Sequence, residues 1–101
     1  MLRVGALSLV LSMGAGAALA QDAEKKEFCL HQGAIVGALS QAKLDRVPEG
    51  RASAHVLENA TWPEKYNPAV AIYVGEVYKL KRRDLKSVDL AAQWEQACLA
   101  N

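Results

Sequence analysis

The chain has 101 residues, and its 12 basic and 11 acidic side chains give a formal net charge of +1 at pH 7. This balance argues against a nucleic-acid-binding protein, which would carry an excess of lysine and arginine, and against an acidic buffer protein. The length allows a single domain.

The first twenty residues have the pattern of a secretory signal peptide. Arg3 provides a positive charge before an apolar run over 4–17, and Ala18 and Ala20 place small residues where a signal peptidase reads them. We therefore expect cleavage before Gln21, a mature domain over 21–101 and a periplasmic or secreted location. The alternative is a membrane anchor, which the shortness of the apolar run disfavours. After cleavage no membrane span is expected.

The chain contains two cysteines, Cys29 and Cys98. In an oxidising compartment a structural disulfide is the default for such a pair. A mature chain this short buries little surface, so a covalent link would matter for its stability. For a loop of roughly 70 residues, chain entropy gives about 4 kcal/mol. The alternatives are two buried thiols or a link between two molecules.

A first helix is predicted from about Ala23 to Leu44, because apolar residues recur there at helical spacing. Its apolar stripe consists of Phe28, Cys29, Ile35, Val36, Leu39 and Ala42. Gly33 and Gly37 flank the stripe, and each costs roughly 1 kcal/mol relative to alanine in a helix. We interpret them as the site where a second helix packs closely. The alternative is a contact between two copies of the chain.

The first helix is predicted to end in the segment 45–50, where Pro48 disfavours helical geometry in the preceding residue. Ser53 is expected to cap a short second helix that runs to about Asn59. Residues 61–66 are expected to form one helical turn or a loop.

A third helix is predicted from Pro68 to about Lys81, with Asn67 as its cap. Because this segment is rich in β-branched and aromatic residues, a strand is the alternative. A strand would need a partner, and no other segment has a strand pattern.

The residues 81–84 are expected to break the helical pattern before a last helix begins at Ser87, with Asp89 in its first turn. Trp94 and Cys98 share one face of that helix and are expected on the core side. The predicted fold is therefore all-α, a small bundle of three to four antiparallel helices closed by one disulfide.

No pattern predicts a metal, a cofactor or an enzyme. Cys29 and His31 are two positions apart on a helix and so point in different directions, and His55 has no second ligand nearby in sequence. The chain has no nucleophile motif such as GxSxG and no glycine-rich phosphate loop.

The candidate interaction residues form a basic cluster and an aromatic pair. The basic cluster comprises Lys79, Lys81, Arg82, Arg83 and Lys86. We interpret it as a solvated helix end, and the alternative is a docking point for anions such as lipid phosphates, cell-wall polymers or an acidic partner. Trp62, near Tyr66 in a predicted loop, is either a core residue or an exposed anchor for a partner.

The pattern as a whole resembles the small two-cysteine helical proteins that Gram-negative bacteria export. It consists of the signal peptide, Phe28-Cys29, Arg46, Gly50, Val77-Tyr78, Trp94 and the near-terminal Cys98. Its general format is similar to that of periplasmic acid-stress chaperones and of secreted helical immunity proteins that neutralise cell-wall-cleaving toxins. The two resemblances imply two alternative functions, a periplasmic stress chaperone and an immunity or inhibitor protein against a cell-wall-cleaving toxin. The first expectation is a non-enzymatic periplasmic binding or accessory protein that acts through a helical surface on a protein partner in the cell envelope.

Overall fold

The computed structural model describes residues 2–101, and it describes side chains over 21–101. The predicted signal peptide over 1–20 therefore lies outside the residues whose side chains are described. The helices are α1 (Leu2–Leu44), α2 (Glu49–Glu58), α3 (Pro68–Tyr78), α4 (Arg82–Ser87) and α5 (Leu90–Ala100), with a 3-10 turn at Glu64–Tyr66. The predicted all-α bundle is confirmed. The alternative strand over 68–81 is wrong because α3 occupies 68–78, although the helix ends three residues before the predicted Lys81.

Helix α1 is the scaffold of the bundle, since α2, α3, α4 and α5 all contact it. Its inward stripe is buried as predicted at Cys29, Ile35, Val36, Leu39 and Ala42. Phe28 differs, because 48% of its surface is exposed. Among the described residues, no helix is long and apolar enough to cross a membrane.

Helices α1 and α5 run antiparallel and touch along a line of small residues. The predicted disulfide between Cys29 and Cys98 is present and brings their Cα atoms to 5.5 Å. One turn further along α1, a Cβ placed on Gly33 would lie 2.7 Å from the carbonyl oxygen of Ala91. A Cβ on Gly37 would lie 2.9 Å from the Cβ of Ala91. The interpretation of both glycines as a helix-packing site is confirmed, and α5 is the helix that packs there.

The boundaries of the shorter helices differ from those predicted. Helix α2 begins at Glu49, directly after the extended Pro48, so Ser53 lies inside the helix and does not cap it. The helical pattern was predicted to be interrupted over 81–84, but only Lys81 is extended. The short helix α4 begins at the next residue and buries Leu85. Asp89 caps α5 by accepting a hydrogen bond from the backbone N–H of Ala92. A short helix with one buried leucine has too few periodic positions to stand out in the sequence.

The turn after α1 sets the direction of the chain toward α2. The backbone N–H groups of Arg46 and Val47 donate to the carbonyls of Lys43 and Ala42, at 3.0 and 2.9 Å. This is a Schellman arrangement, which requires a left-handed residue, and Arg46 provides it at φ 66°. The turn holds Val47 against the core.

Tyr78 fastens the end of α3 to this turn. Its hydroxyl donates to the carbonyl oxygen of Val47 at 2.7 Å. Burial raises the pKa of the Tyr78 hydroxyl above its ordinary value of 10.0, and the nearby negative charge of Glu49 raises that pKa further. The neutral, donating form is therefore favoured in the folded protein.

The different surroundings of Gly33 and Gly75 predict opposite effects of replacing each glycine by alanine. Gly33→Ala should lower the free energy of unfolding by about 1–3 kcal/mol, because the new methyl group meets backbone. Gly75→Ala, in α3, meets nothing within 4 Å. It should instead raise the free energy of unfolding by about 0.5–1 kcal/mol through helix propensity. Urea unfolding of the oxidised variants measures both values, and a stable Gly33→Ala protein would contradict the close approach.

Tyr78 predicts a loss of stability at high pH. Since its folded pKa exceeds its unfolded pKa of 10.0, its contribution is complete below about pH 10 and is lost as the pH rises through the folded pKa. Tyr78→Phe should cost about 1 kcal/mol at pH 7, where the hydrogen bond is lost, and less above pH 10. Urea unfolding at several pH values tests this, with Tyr73→Phe as the control. A pH-independent difference would contradict it.

Candidate functional site

Arg82, a member of the predicted basic cluster, is part of the fold. Its guanidinium donates to the carbonyls of Lys43 and Leu44 at 2.7 and 3.0 Å. The Lys43 ammonium in turn donates to the carbonyl of Tyr78 at 2.7 Å and also to that of Leu80. Helix C-terminal carbonyls lack partners within the helix and favour positive charge. Arg82 of α4 therefore satisfies carbonyls at the end of α1, and Lys43 of α1 satisfies carbonyls at and just after the end of α3. We call this region the cross-capped end.

The other members of the basic cluster remain on the surface. Lys79 lies 3.4 Å from a carboxylate oxygen of Glu76, and Arg83 lies 3.6 Å from one of Asp84. Lys81 and Lys86 are exposed. Exposed ion pairs of this kind contribute little to stability. The helix-end interpretation thus describes Arg82, while the four lysine and arginine neighbours form an ordinary charged face.

Trp62 is buried, with 8% of its surface exposed, and it belongs to the core. Its indole N–H donates to the side-chain oxygen of Asn67 at 2.9 Å. The alternative of an exposed Trp62 anchor is therefore wrong. Asn67 precedes α3 as predicted, but its side chain makes no cap hydrogen bond and instead holds the indole.

Tyr66 is half-buried, packs against the core and belongs to a group of aromatic rings. Its ring centroid is 4.8 Å from that of His31 and 6.2 Å from that of Phe28. The Lys65 ammonium lies 5.2 Å from the Tyr66 centroid, within the range of a cation–π contact. We call the group of Phe28, His31, Lys65 and Tyr66 the aromatic surface. Three of its members, Phe28, His31 and Lys65, were not among the predicted interaction residues, and no spacing links Phe28 and His31 to Tyr66 in the sequence.

A groove of about 300 Å³ lies beside the aromatic surface and shares Phe28 with it. We call it the Gln32 groove. Its other lining residues include Gln32, Tyr73, Trp94, Cys98 and Asn101. The rings of Tyr73 and Trp94 meet edge to face with centroids 5.2 Å apart, so Trp94 packs partly on the core as predicted and partly forms a wall.

Gln32 is the buried polar residue of this groove. Only 5% of its surface is exposed, and its side-chain oxygen has no hydrogen-bond partner. It lies three positions after Cys29 and four before Val36, which places it on the inward stripe of α1. A polar residue on an apolar stripe is the signal by which the sequence could have revealed it.

The described residues contain no cluster of three or more histidine, cysteine, aspartate or glutamate side chains that could hold a metal ion. Both described cysteines are in the disulfide. Comparison of the chain with protein-family models, with curated proteins and with solved structures gave no match. Its chemistry is therefore argued from its own residues.

The cross-capped end predicts unequal effects of neighbouring arginine substitutions. Arg82→Ala should lower the free energy of unfolding by about 2 kcal/mol, because two carbonyls lose a charged donor at a partly buried site. Arg83→Ala removes the same charge from an exposed position and should change that free energy by less than about 0.5 kcal/mol. Denaturant unfolding measures both values, and equal effects would contradict the capping role of Arg82.

Proposed function

We propose that the protein is a non-enzymatic binding or accessory protein of the periplasm that acts on a protein partner through its aromatic surface. The observation that carries this proposal is the half-exposed Phe28 ring, which contacts Tyr66 and is not covered by it. Aromatic side chains are enriched in the centres of protein interfaces, because they bury a large area and lose little conformational freedom on binding.

The surroundings of these rings support the same proposal. Phe28 and Tyr66 line a shallow depression of about 560 Å³ together with the charged residues Glu24, Lys25, Glu27 and Lys65. An apolar centre with a polar, solvated rim is the usual anatomy of a transient protein interface. Because the Tyr66 ring already contacts His31 and Lys65, binding would cost less ordering of that side chain.

Export is the setting in which we place this activity. The disulfide between α1 and α5 suits an oxidising compartment, and the pattern over 1–20 suits a cleaved signal peptide. An acid-stress chaperone is less well supported, because no aspartate or glutamate side chain over 21–101 is buried. Protonation of these carboxylates would thus break no interior ion pair and gives no direct route to exposing the core.

The proposal predicts partner binding that depends on Phe28 and Tyr66. The oxidised, processed protein is immobilised and used to capture proteins from a cell-envelope extract of the organism that makes it. We expect one dominant partner, whose affinity falls by more than about 2 kcal/mol in Phe28→Ala or Tyr66→Ala if these rings are interface anchors.

Ile72→Ala is the matched control. Ile72 is 68% exposed on α3 and is not part of the aromatic surface, so its substitution removes exposed apolar area without touching the rings. Its affinity for the partner should equal that of the unchanged protein. The absence of any enriched protein, or equal losses in all three variants, would contradict the proposal.

A further inference from the structure

An open cavity of about 400 Å³ lies between the turn after α1 and the exposed face of α2. The turn contributes Arg46 and Pro48 to its lining, and α2 contributes Arg51, His55 and Glu58. The three α2 residues are spaced by four and then three positions, which places them on one face of the helix. The volume of the cavity falls within the range of small-molecule sites. We call it the Arg51 cavity.

The two guanidinium groups of the Arg51 cavity are not used by the fold. Arg46 and Arg51 are exposed, and neither makes a side-chain hydrogen bond or ion pair with the residues whose side chains the structure describes. This holds although Asp45 and Glu49 are close to Arg46 in the sequence. Arg82 differs, because its guanidinium bonds to carbonyls of α1. The donors of Arg46 and Arg51 therefore stay available to a ligand.

The backbone of Arg46 indicates that its side chain has a role beyond the turn. Its φ of 66° lies in the left-handed region, where a Cβ is unfavourable and glycine is the usual residue. Glycine would make the same turn without that cost. Because the guanidinium makes no hydrogen bond that offsets the cost, the turn itself gives no reason for an arginine. An anion bound in the cavity would give one.

The lining side chains define the chemistry of the occupant. A guanidinium donates parallel N–H groups to an oxyanion, and the His55 imidazole adds a further N–H. Two guanidinium groups and an imidazole can each serve one of three oxygens, the number at the end of a phosphate monoester, whereas a carboxylate has two. Glu58 lies roughly 10 Å further along the α2 axis than Arg51. Its carboxylate would repel the phosphate, so the other end of the occupant must donate a hydrogen bond.

We propose that the Arg51 cavity binds a small organic phosphate monoester, with the phosphate between Arg46 and Arg51 and hydroxyl groups of the organic body toward Glu58. Because the cavity is open and ion pairs at exposed sites are weak, the affinity is in the millimolar range or somewhat tighter. The inference is independent of the proposed function, since no residue of the aromatic surface lines this cavity.

The probes are three hexoses that differ at carbon 6, namely glucose 6-phosphate, glucuronate and glucose, together with inorganic phosphate. Each is titrated into the full, oxidised, ¹⁵N-labelled protein in about 0.15 M salt, where exposed charges are screened over about 8 Å. NMR follows the backbone amides of Arg46, Arg51 and His55. We expect saturable shifts at these residues with glucose 6-phosphate, weaker binding of glucuronate and inorganic phosphate, and no binding of glucose.

Several results of these titrations would overturn the proposal. Glucuronate that binds as tightly as glucose 6-phosphate would contradict the preference for phosphate. Inorganic phosphate that binds as tightly would contradict the role of the organic body. Absence of binding by glucose 6-phosphate, or shifts confined to residues outside the cavity, would contradict the site itself.

Arg46→Gly is the decisive variant, because stability and binding should change in opposite directions. Glycine suits the left-handed turn, so the urea concentration at the midpoint of unfolding should rise, while the affinity for glucose 6-phosphate should fall about tenfold with the loss of one guanidinium. Arg51→Gln removes the other guanidinium from an exposed position of α2 and should cause a similar loss of affinity. Unchanged affinity in either variant would overturn the proposal.

Arg83→Gln is the matched control. Arg83 is an exposed arginine of α4 that does not line the cavity, so this variant has the same net charge as Arg51→Gln. It should keep its affinity for glucose 6-phosphate, and an equal loss would show that the phosphate responds only to net charge. Tyr66→Ala should lose the protein partner and keep this affinity, which separates a failure of this inference from a failure of the proposed function.

Discussion

The close contact between α1 and α5 is the constraint on which the rest of the molecule depends. None of the residues of α5 is fully buried, so burial alone holds this helix weakly. Gly33 and Gly37 compensate by letting the α5 backbone approach α1 at van der Waals distance, and the disulfide prevents it from leaving. Each glycine costs roughly 1 kcal/mol in helix propensity, and the close packing of the last helix offsets this cost.

The two ends of the bundle differ in how far their polar and aromatic side chains are used in contacts within the fold. At the cross-capped end, the charged groups of Lys43 and Arg82 and the hydroxyl of Tyr78 all bond to backbone carbonyls. Because those donors already make hydrogen bonds within the protein, they are not available to a partner. At the disulfide end, the rings of Phe28 and Tyr66 stay partly exposed and the Gln32 oxygen stays unbonded. The partly exposed aromatic rings are therefore concentrated at one end, and the proposed function is placed there.

Local patterns were sufficient for much of this fold. Helical spacing and the Asn67-Pro68 pair predicted the end of α1 at Leu44 and the start of α3 at Pro68. Two cysteines in a chain that we expect to be exported predicted the disulfide. Apart from the bounds of the short helices, the errors arose where a role depends on distant residues. Arg82 bonds to a carbonyl 38 positions away, and nothing in a run of basic residues distinguishes it from its exposed neighbours. Trp62 was ambiguous for the same reason, because its burial depends on how the chain folds over it.

The candidate site was harder to predict than the fold, because it joins residues whose shared feature is position in space. Helical spacing predicted a core position for Phe28. The core ends before this residue, and its half-exposed ring contacts Tyr66. Gln32 was a visible exception on the stripe of α1, but a sequence cannot show whether a buried amide has a partner. Only the docking of α5, with Trp94 against Tyr73, creates the groove that Gln32 helps to line. The same contact that stabilises the bundle therefore also forms this groove, so the shape of the groove depends on the position of α5.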